Sequence, residues 1–587
     1  MRKQGMFLAI AFFAGVATVS FTGCSSNGEK PVSSDADQQK DKNGDDSKEE
    51  SKGTEEENKE EDQQEEKELT PGASDREESG TETEPIALEK RVSVHDPSIV
   101  KDKDTYYVFG SHIAAAKSTD LLNWAYIANG YTSVGNPLYG KLQKNLKGSF
   151  KWAGDHDSDC KTGFAVWAPD VFWNPDYVNE DGSKGAYMLY YCTSSTAIRS
   201  CIGYAISQEI EGPYTYVDTI IYSGFTKEEA YDRDSKINKC YENTNIPKLI
   251  EEGKLDGIND DWFRGVTEYN NSYAPNAIDP EIFYDTEGKM WMVYGSWSGG
   301  IYVLEMNKET GEAIYPGKSE KTEDFRIVDS YFGTRIAGGY TASGEGPYII
   351  YDKETDYFYL YVTYEYLDAF SGYNMRLFRS KTPQGPYLDS KGNNAALPGN
   401  IGHNDYGIKV MGNYTFSAFE EKAMGGYRSC GHNSALLDED GSRYLFYHTR
   451  FEKNPNPHEV RVHQQFMNSQ DWPVTAVFEN RGDKISETGY KKESIVGDYE
   501  FVNHGIQCDR EKMIEVQNIS LKEDGTISGD VEGTWAEADD SYQAEFTIGE
   551  EKYYGVFFRQ HDESEEAKYV MTFTAIGNNK TIWGVKK

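Results

Sequence analysis

Residues 95–110, HDPSIVKDKDTYYVFG, begin the part of the chain that can fold around a core. An Asp-Pro pair heads a short apolar strand, a turn of Lys and Asp follows, and TYYVFG is a second strand of aromatic and β-branched residues. The arrangement returns in WAPDVFW (167–173), IDPEIFY (278–284), GEGPYIIY (344–351) and GHNSALL (431–437). Five such units, separated by insertions of unequal length, predict an all-β fold.

The repeat predicts a five-bladed β-propeller catalytic domain over residues 89–487. The innermost strand of each blade lines a central channel in such a fold, so the polar residues that head these strands should converge. Those heads are Asp96, Asp170, Asp279, Glu345 and His432. C-terminal to the repeat, stretches in which apolar and polar residues alternate, such as KYYGVFFRQ (552–560), predict a small β-barrel or sandwich domain over residues 493–587.

The N-terminal residues 1–24 have the features of a lipoprotein signal peptide. Arg2 and Lys3 precede the apolar run MFLAIAFFAGVATVSF, which is too short to span a bilayer comfortably and is followed by TGC. We expect Cys24 to be the lipidated residue that anchors an extracellular protein to a bacterial cell membrane. An ordinary cleaved signal would also export the protein.

The segment that follows is strongly acidic. Residues 25–85 hold 22 acidic and 8 basic residues, a net charge of −14, and no aromatic residue occurs between Thr22 and Thr105. Such a segment cannot bury enough apolar surface to offset its ordering entropy, so residues 25–88 are predicted to be a disordered acidic tether. The formal net charge of −38 for the whole chain argues against nucleic acid and polyanionic ligands. We expect a monomer.

Six cysteines remain after Cys24. They are Cys160, Cys192, Cys201, Cys240, Cys430 and Cys508. Export permits disulfides, and Cys192 and Cys201 could face each other across a hairpin. We expect mostly free and buried thiols instead, because a large aromatic-rich core does not need cross-links.

Three carboxylates in one pocket suit acid and base chemistry at a glycosidic bond. The ordered motifs HDPSI, WAPDV, AIDPEIF, SGEGPYI and GHNS resemble the catalytic core of glycoside hydrolase family 43. GSWSGGIYVLEMNKETG (295–311) and GYNMRLFRSKTPQGPYLD (372–389) are similar to the exported endo-arabinanases of that family. This resemblance implies hydrolysis of arabinan, a neutral plant polysaccharide, at internal α-1,5-linkages with inversion of configuration.

The resemblance also implies the roles of individual residues. Asp96 matches the general base, Glu345 matches the general acid, and Asp279 matches the third carboxylate, which tunes the pKa of the acid and orients it. His432 matches the histidine that holds a calcium ion in the central channel of similar arabinanases. Imidazole is an unusual ligand for so hard a cation, so the alternative is a histidine that supports the carboxylates.

The substrate-binding candidates stand beside the heads of the strands. Sugar rings present C–H faces that stack on flat apolar groups, which makes Trp167 and Trp297 candidates, although both could serve only in core packing. We add three polar residues from the same motifs as substrate-binding candidates: Asp170, Asn276 and Ser298.

Two other functions remain open from the sequence. An exo-acting arabinofuranosidase or xylosidase would use the same three carboxylates, and the long insertions 141–163 and 225–272 would favour it if they closed the cleft. A non-catalytic lipoprotein that binds polysaccharide at the cell surface would fit the signal, the tether and the aromatic content. It would have no use for the three carboxylates.

Overall fold

The computed structural model describes residues 69–72, 82–130, 136–155, 165–195, 198–539 and 541–587. The predicted signal peptide, Cys24 and Cys160 lie outside the described residues. Across the described ranges, no helix is both long enough and apolar enough to cross a membrane.

Most of the regular secondary structure in the described residues is β-strand, as the repeat predicts. The strands before residue 490 are β1 (Leu69–Pro71), β2 (Ser98–Asp102), β3 (Thr105–Gly110), β4 (Ala114–Ser118), β5 (Ala125–Ala128), β6 (Val166–Val178), β7 (Lys184–Ser194), β8 (Ser200–Ser207), β9 (Thr215–Tyr222), β10 (Glu281–Tyr284), β11 (Met290–Tyr294), β12 (Ile301–Met306), β13 (Ala313–Ile314), β14 (Glu320–Lys321), β15 (Ile327–Asp329), β16 (Gly333–Ala337), β17 (Glu345–Asp352), β18 (Tyr357–Tyr364), β19 (Asn374–Ser380), β20 (Ile408–Lys409), β21 (Tyr427–Leu437), β22 (Arg443–Phe451), β23 (Glu459–Met467) and β24 (Pro473–Thr475). The short helices are α1 (Leu142–Asn145), α2 (Lys147–Ala153), α3 (Ile246–Glu251) and α4 (Lys492–Ile495).

Strands β2 to β24 form five groups of antiparallel strands, here called runs, and all but the third follow sequence order along their main path. Strands β2–β5 make one sheet, β6–β9 a second, and β10, β11, β12, β16, β15 and β14 a third. The runs β17–β19 and β21–β24 belong to one larger sheet, joined by a single parallel pair between Asn374 and Cys430. Aromatic and aliphatic side chains fill the spaces between runs, as with Tyr190, Tyr294 and Tyr302.

The first strands of these runs form a closed ring. β2 contacts β6, β6 contacts β10, β10 contacts β17, β17 contacts β21, and β21 contacts β2. The head of each first strand therefore faces a common axis, which is what places the candidate site.

The C-terminal strands form a closed antiparallel barrel. They are β25 (Gly497–Asn503), β26 (Gln517–Leu521), β27 (Thr526–Gly529), β28 (Gly533–Ala538), β29 (Gln543–Ile548), β30 (Glu551–His561), β31 (Tyr569–Gly577) and β32 (Lys580–Lys586). Each strand pairs with the next, β25 pairs with β32, and β28 pairs with both β27 and β29. The alternation of apolar residues arises because one face of every strand points into the barrel, where Phe546, Phe557 and Phe573 pack together.

Parts of the predicted tether are ordered. β1 pairs with β28 of the barrel, and the Ile86 N–H donates to the Arg481 carbonyl at 3.0 Å. The prediction of a disordered tether over residues 25–88 did not anticipate these contacts, and for the rest of that segment it stays a prediction. Charge patterning identifies the segment as polar, but it does not reveal that a short stretch can add to an exposed strand edge.

The five described cysteines are free thiols, four buried and Cys508 half-buried, which confirms the prediction for this part of the chain. The hairpin register places Cys192 opposite Ile202 and Cys201 opposite Thr193, so the two thiols do not face each other.

Candidate active site

A backbone feature repeats at the head of every run. One residue in each head has a left-handed conformation: Asp96 (φ 54°), Ala168 (φ 31°), Asp279 (φ 55°), Gly346 (φ 55°) and His432 (φ 48°). Proline follows four of them, and Asn433 follows the fifth. Such a φ costs energy for a residue other than glycine, so its repetition marks a shared constraint on the end of each first strand.

This repeated left-handed conformation corrects the alignment of the five strand heads that the sequence suggests. Asp96, Asp279 and His432 occupy equivalent positions, whereas Asp170 stands two residues after Ala168 and Glu345 stands one residue before Gly346. Gly346 is required where it stands, because a Cβ atom there would lie 2.8 to 3.0 Å from the His432 ring.

Asp96 is a buried carboxylate among imidazoles. Its Oδ2 accepts a hydrogen bond from the Ser111 hydroxyl and lies 2.8 Å from His95 Nδ1. Burial raises the pKa of Asp96, but the nearby His432 and His95 outweigh it and hold this pKa well below its ordinary value. Asp96 is therefore ionised at neutral pH, as a general base must be.

The second oxygen of Asp96, Oδ1, is left able to accept a proton. Oδ1 lies 3.1 Å from His432 Nδ1 and accepts no well-aligned hydrogen bond from the described residues. His448 is fully buried, and burial above all holds its pKa well below the ordinary value. Its Nδ1 accepts the Asp96 N–H at 3.3 Å, so this neutral ring fixes the backbone that carries the base.

Asp279 has the opposite electrostatic environment. Burial, with the neighbouring charges of Glu345 and Asp96, raises its pKa to about 7, although His432 opposes the shift. Its Oδ2 accepts the Gly346 N–H at 3.1 Å. Asp279 thus contacts the backbone beside Glu345, and it is itself a carboxyl group that titrates near neutral pH.

We expect Asp279→Asn to stabilise the protein more at pH 8 than at pH 4. A carboxyl whose pKa rises on folding favours the folded state fully below about pH 4 and loses that contribution as the pH rises through about 7. Asparagine has no charge to bury, so the difference in the free energy of unfolding should grow on the order of 4 kcal/mol across this range. Denaturant titrations of chelator-treated protein at both pH values measure it, and a difference that does not change with pH would contradict the raised pKa.

Glu345 lies at the border between the buried ring and the surface. Its Oε2 accepts a hydrogen bond from Trp297 Nε1 at 2.9 Å, and its Oε1 accepts one from the Tyr373 hydroxyl at 2.7 Å. These donors hold the carboxyl in one orientation while it remains half-buried, which suits a group that meets a ligand.

His432 lies between the carboxylates. Burial lowers its pKa, but Asp96, then Asp279 and Glu345, outweigh burial and raise it above the ordinary value. The imidazole is therefore protonated more readily than a free one when no metal is bound, and in that form it offsets part of the negative charge of the site.

Asp170 lies deeper in the ring of first strands than the sequence alignment implies. It is 4 % exposed, accepts a hydrogen bond from the Ser98 hydroxyl at 2.5 Å, and accepts the Ile282 N–H at 2.9 Å. These contacts join three first strands and do not point its carboxylate towards the surface. A cavity of about 20 Å³ lies between Asp170 and the other heads. Its lining includes Asp96, Asp170, Asp279, Glu281, His432 and Asn433.

The remaining candidates from the sequence lie around the site. The Trp167 ring packs edge-on against His112 at 4.7 Å, and the Trp297 ring is tilted against Tyr366 at 4.7 Å. The Ser298 carbonyl accepts the Thr341 N–H at 2.7 Å, and Asn276 Oδ1 accepts from the Ser223 hydroxyl at 3.3 Å. Trp167, Trp297 and Asn276 are half-buried, whereas Ser298 is buried.

Several residues of the site carry no signal in the sequence. Most lie in or beside loops between the second and third strands of a run: Ser111, His112, Tyr366, Tyr373 and His458. His448 lies on β22, and its ring stacks on His95 at 4.0 Å between centroids. These loops lie at the same end of the ring as the heads because adjacent strands are antiparallel. Only the clustering of histidines near Asp-Pro could have suggested them.

The two long insertions begin and end at this same face. Residues 141–163 lie between β5 and β6, and residues 225–272 lie between β9 and β10. The fourth strand of each run ends, and the next first strand begins, at the end of the ring that holds the heads. That the insertions narrow the cleft remains a prediction.

An ionised buried carboxylate and a second, orientated carboxyl are groups suited to acid–base hydrolysis. Comparison with family models finds "Glycosyl hydrolases family 43" over residues 257–473 and a "C-terminal lipocalin-like domain" over residues 478–584. The extracellular endo-α-(1→5)-L-arabinanase 2 of Bacillus subtilis is 39 % identical over 511 residues, which cover 85 % of this chain and 93 % of the relative.

A solved structure supports the same relationship. The endo-1,5-α-L-arabinanase of Thermotoga petrophila is 36 % identical with a TM-score of 0.70, and the match covers 86 % of this chain and 100 % of that one. A family 43 glycoside hydrolase from Bacillus licheniformis is 37 % identical with a TM-score of 0.69, covering 85 % of this chain and 99 % of that one. The chain therefore belongs to glycoside hydrolase family 43.

Proposed function

We propose that this protein is an endo-acting arabinanase that hydrolyses internal α-1,5-linkages of arabinan. The match to the Bacillus subtilis arabinanase, which spans 93 % of that relative, carries the proposal. The negative charge of the chain is compatible with a neutral polymer and unfavourable for a polyuronate. We further propose that the closed ring of first strands is the centre of a five-bladed propeller, which the antiparallel runs support.

The proposed reaction is a single displacement. A water molecule beside Asp96 gives its proton to Oδ1, the oxygen that accepts no hydrogen bond from the described residues, and the water oxygen attacks the anomeric carbon. The bond to the leaving oxygen breaks as Glu345 transfers a proton to it. The product has an inverted anomeric configuration because one displacement occurs.

Other side chains orient the carboxyl groups of Glu345 and Asp96. Trp297 and Tyr373 hold the Glu345 carboxyl, and Ser111 and His95 hold Oδ2 of Asp96, which leaves Oδ1 as the oxygen that would take the proton. Asp279, through the Gly346 N–H, fixes the backbone next to the acid. We propose that Trp167 stacks on a sugar ring at the same face.

The residues present fit a calcium ion in the channel. The cavity beside His432 has room for about one water molecule, and Asn433, which lines it, has a buried side-chain amide with no hydrogen-bond partner in the described part of the chain. His432 would supply an imidazole, and Asp279 and Asn433 would supply oxygen atoms, the ligands that calcium prefers. A bound calcium would supply positive charge that stabilises the cluster of carboxylates.

We expect metal-free protein to bind calcium and to melt at a higher temperature with it. Calorimetric titration of chelator-treated protein with calcium chloride measures binding, and His432→Ala should lower the affinity by at least about tenfold if the imidazole is a ligand. Lys318→Ala, at an exposed position outside the site, is the matched control. Absence of heat and of any shift in melting temperature would contradict the calcium proposal.

The polymer is identified by a substrate panel. Debranched arabinan, xylan and polygalacturonate are each incubated with the protein, and the products are separated by chromatography. Short arabino-oligosaccharides should appear first and only from arabinan. Cleavage of xylan alone, or early release of arabinose alone, would contradict the proposed polymer or the endo mode.

We also propose that the protein is exported as a monomer and anchored at the cell surface through a lipid on Cys24, with the acidic segment as a spacer. The extracellular arabinanases among its relatives support export. Cys24→Ser should release the protein into the medium, and a variant that stayed with the membrane fraction would argue against the anchor.

A further inference from the structure

An apolar surface loop lies beside the proposed acid. Residues 365–373 connect β18 to β19, and three of their large apolar side chains are exposed: Tyr366 by 61 %, Leu367 by 43 % and Phe370 by 51 %. We name these three residues the aromatic rim. Contiguous exposed apolar side chains on a soluble domain often mark a binding surface.

The aromatic rim is continuous with the site. β18 ends, and β19 begins, at the end of the sheet where β17 starts with Glu345. The Tyr366 ring packs on Trp297 with 4.7 Å between centroids and 31° between planes, and Trp297 donates to Glu345. Tyr373, at the other end of the loop, donates to the same carboxyl. Tyr366 therefore covers one face of Trp297 and itself presents the outer aromatic surface.

The backbone of the loop is fixed although its side chains are exposed. The Leu367 carbonyl accepts from Arg450 Nε at 3.1 Å, and the Asp368 carbonyl accepts from the Ser429 hydroxyl at 2.8 Å. The Ala369 carbonyl accepts from Arg428 Nη1 at 3.4 Å. A held backbone with exposed aromatic groups is a preorganised surface, which loses little conformational entropy on binding.

The segment that precedes β26 supports this loop. Arg428 Nη2 donates to the Glu511 carbonyl at 2.9 Å, and a Cβ atom on Gly372 would lie 2.7 Å from the Arg510 nitrogen. The C-terminal domain thus contributes to the position of the loop.

We propose that the aromatic rim binds the arabinan chain beyond the residues that flank the scissile bond, with Tyr366 and Phe370 stacking on successive furanose rings. The proposal rests on the proposed function. A neutral furanoside chain fits because it offers C–H faces to aromatic rings, and because the rim adjoins the proposed acid, so that a chain held there continues into the site.

The test compares Tyr366→Ala and Phe370→Ala with Phe325→Ala. Phe325 is 80 % exposed in the turn between β14 and β15 and serves as the matched control. On linear arabinan, Phe370→Ala should raise KM by about 3- to 10-fold with kcat changed by less than about twofold, because one stacking contact is lost. Tyr366→Ala should raise KM at least as much, but its kcat is no control, because Tyr366 also packs on Trp297 beside the acid. An aryl arabinofuranoside too short to reach the rim should be cleaved by Phe370→Ala as by the wild-type protein, and Phe325→Ala should behave as wild type.

Binding is measured separately in the Asp96→Asn background, where turnover does not interfere. Calorimetry with arabino-oligosaccharides should show weaker binding for the rim variants with long chains only. Unchanged KM and affinity, or an equal loss on short and long substrates, would overturn the proposal. If the wild-type protein cleaves no arabinan, the proposed function itself fails.

Discussion

Asp96→Asn is expected to abolish hydrolysis of arabinan and of an aryl arabino-oligosaccharide together. The variant keeps the volume of the side chain but cannot accept the proton of the attacking water, which is needed whatever group leaves. A positioned general base contributes on the order of 10² to 10⁴ in rate, so kcat should fall by at least that factor on both substrates.

Asp102→Asn is the matched control for this variant. Asp102 ends the same strand, β2, at the opposite face of the ring, so its replacement should leave kcat unchanged. Circular dichroism separates loss of chemistry from loss of fold. If Asp96→Asn retained activity on either substrate within about tenfold of the wild type, Asp96 would not be the base.

Glu345→Gln is expected to discriminate between leaving groups. A general acid matters in proportion to how poor the leaving group is, so cleavage of arabinan, which releases a sugar alcohol, should fall on the order of 10² to 10⁴. An aryl arabino-oligosaccharide with an acidic phenol should keep much of its wild-type rate. Glutamine still offers an acceptor to Trp297 or Tyr373, so the local structure should persist.

The ratio of the two rates, measured by steady-state kinetics on both substrates, is the diagnostic quantity. Tyr373→Phe removes one hydrogen bond to Glu345 without removing the carboxyl, and it should cost less on arabinan than Glu345→Gln. Equal losses on arabinan and on the aryl substrate for Glu345→Gln would show that Glu345 does not act as the acid.

The strands and the ring of heads could be predicted from the sequence because each unit carries its own turn and its own aromatic strand. HDPSIV and IDPEIF place Asp96 and Asp279 at equivalent points of the ring. The sequence prediction places Asp170 at the wrong point of the ring because it aligns the acidic residues of the units with one another. The structure instead superimposes the left-handed residue, which is usually followed by proline, and that residue is Ala168 in the second unit.

Other features could not be predicted, for physical reasons. His448, whose Nδ1 accepts the Asp96 N–H, is separated from that residue by 352 positions, and Tyr373 lies 28 positions from Glu345. The first contact depends on ring closure, which brings the last run of strands against the first, and the second depends on the pairing of β17 with β18 and of β18 with β19. The raised pKa of Asp279 also depends on burial in this ring, which no local motif encodes. The pairing of β1 with β28 depends on an edge that exists only after the barrel has formed.

Proton NMR of the first product formed from an arabino-oligosaccharide tests the single displacement between Asp96 and Glu345 most directly. The spectrum is recorded within minutes, before the new reducing end interconverts between its anomers. With a single displacement, the anomeric signal should first appear as the β-anomer, inverted relative to the α-linked substrate. A first product that keeps the α-configuration would contradict it, because retention requires a covalent intermediate and a nucleophile in place of a base.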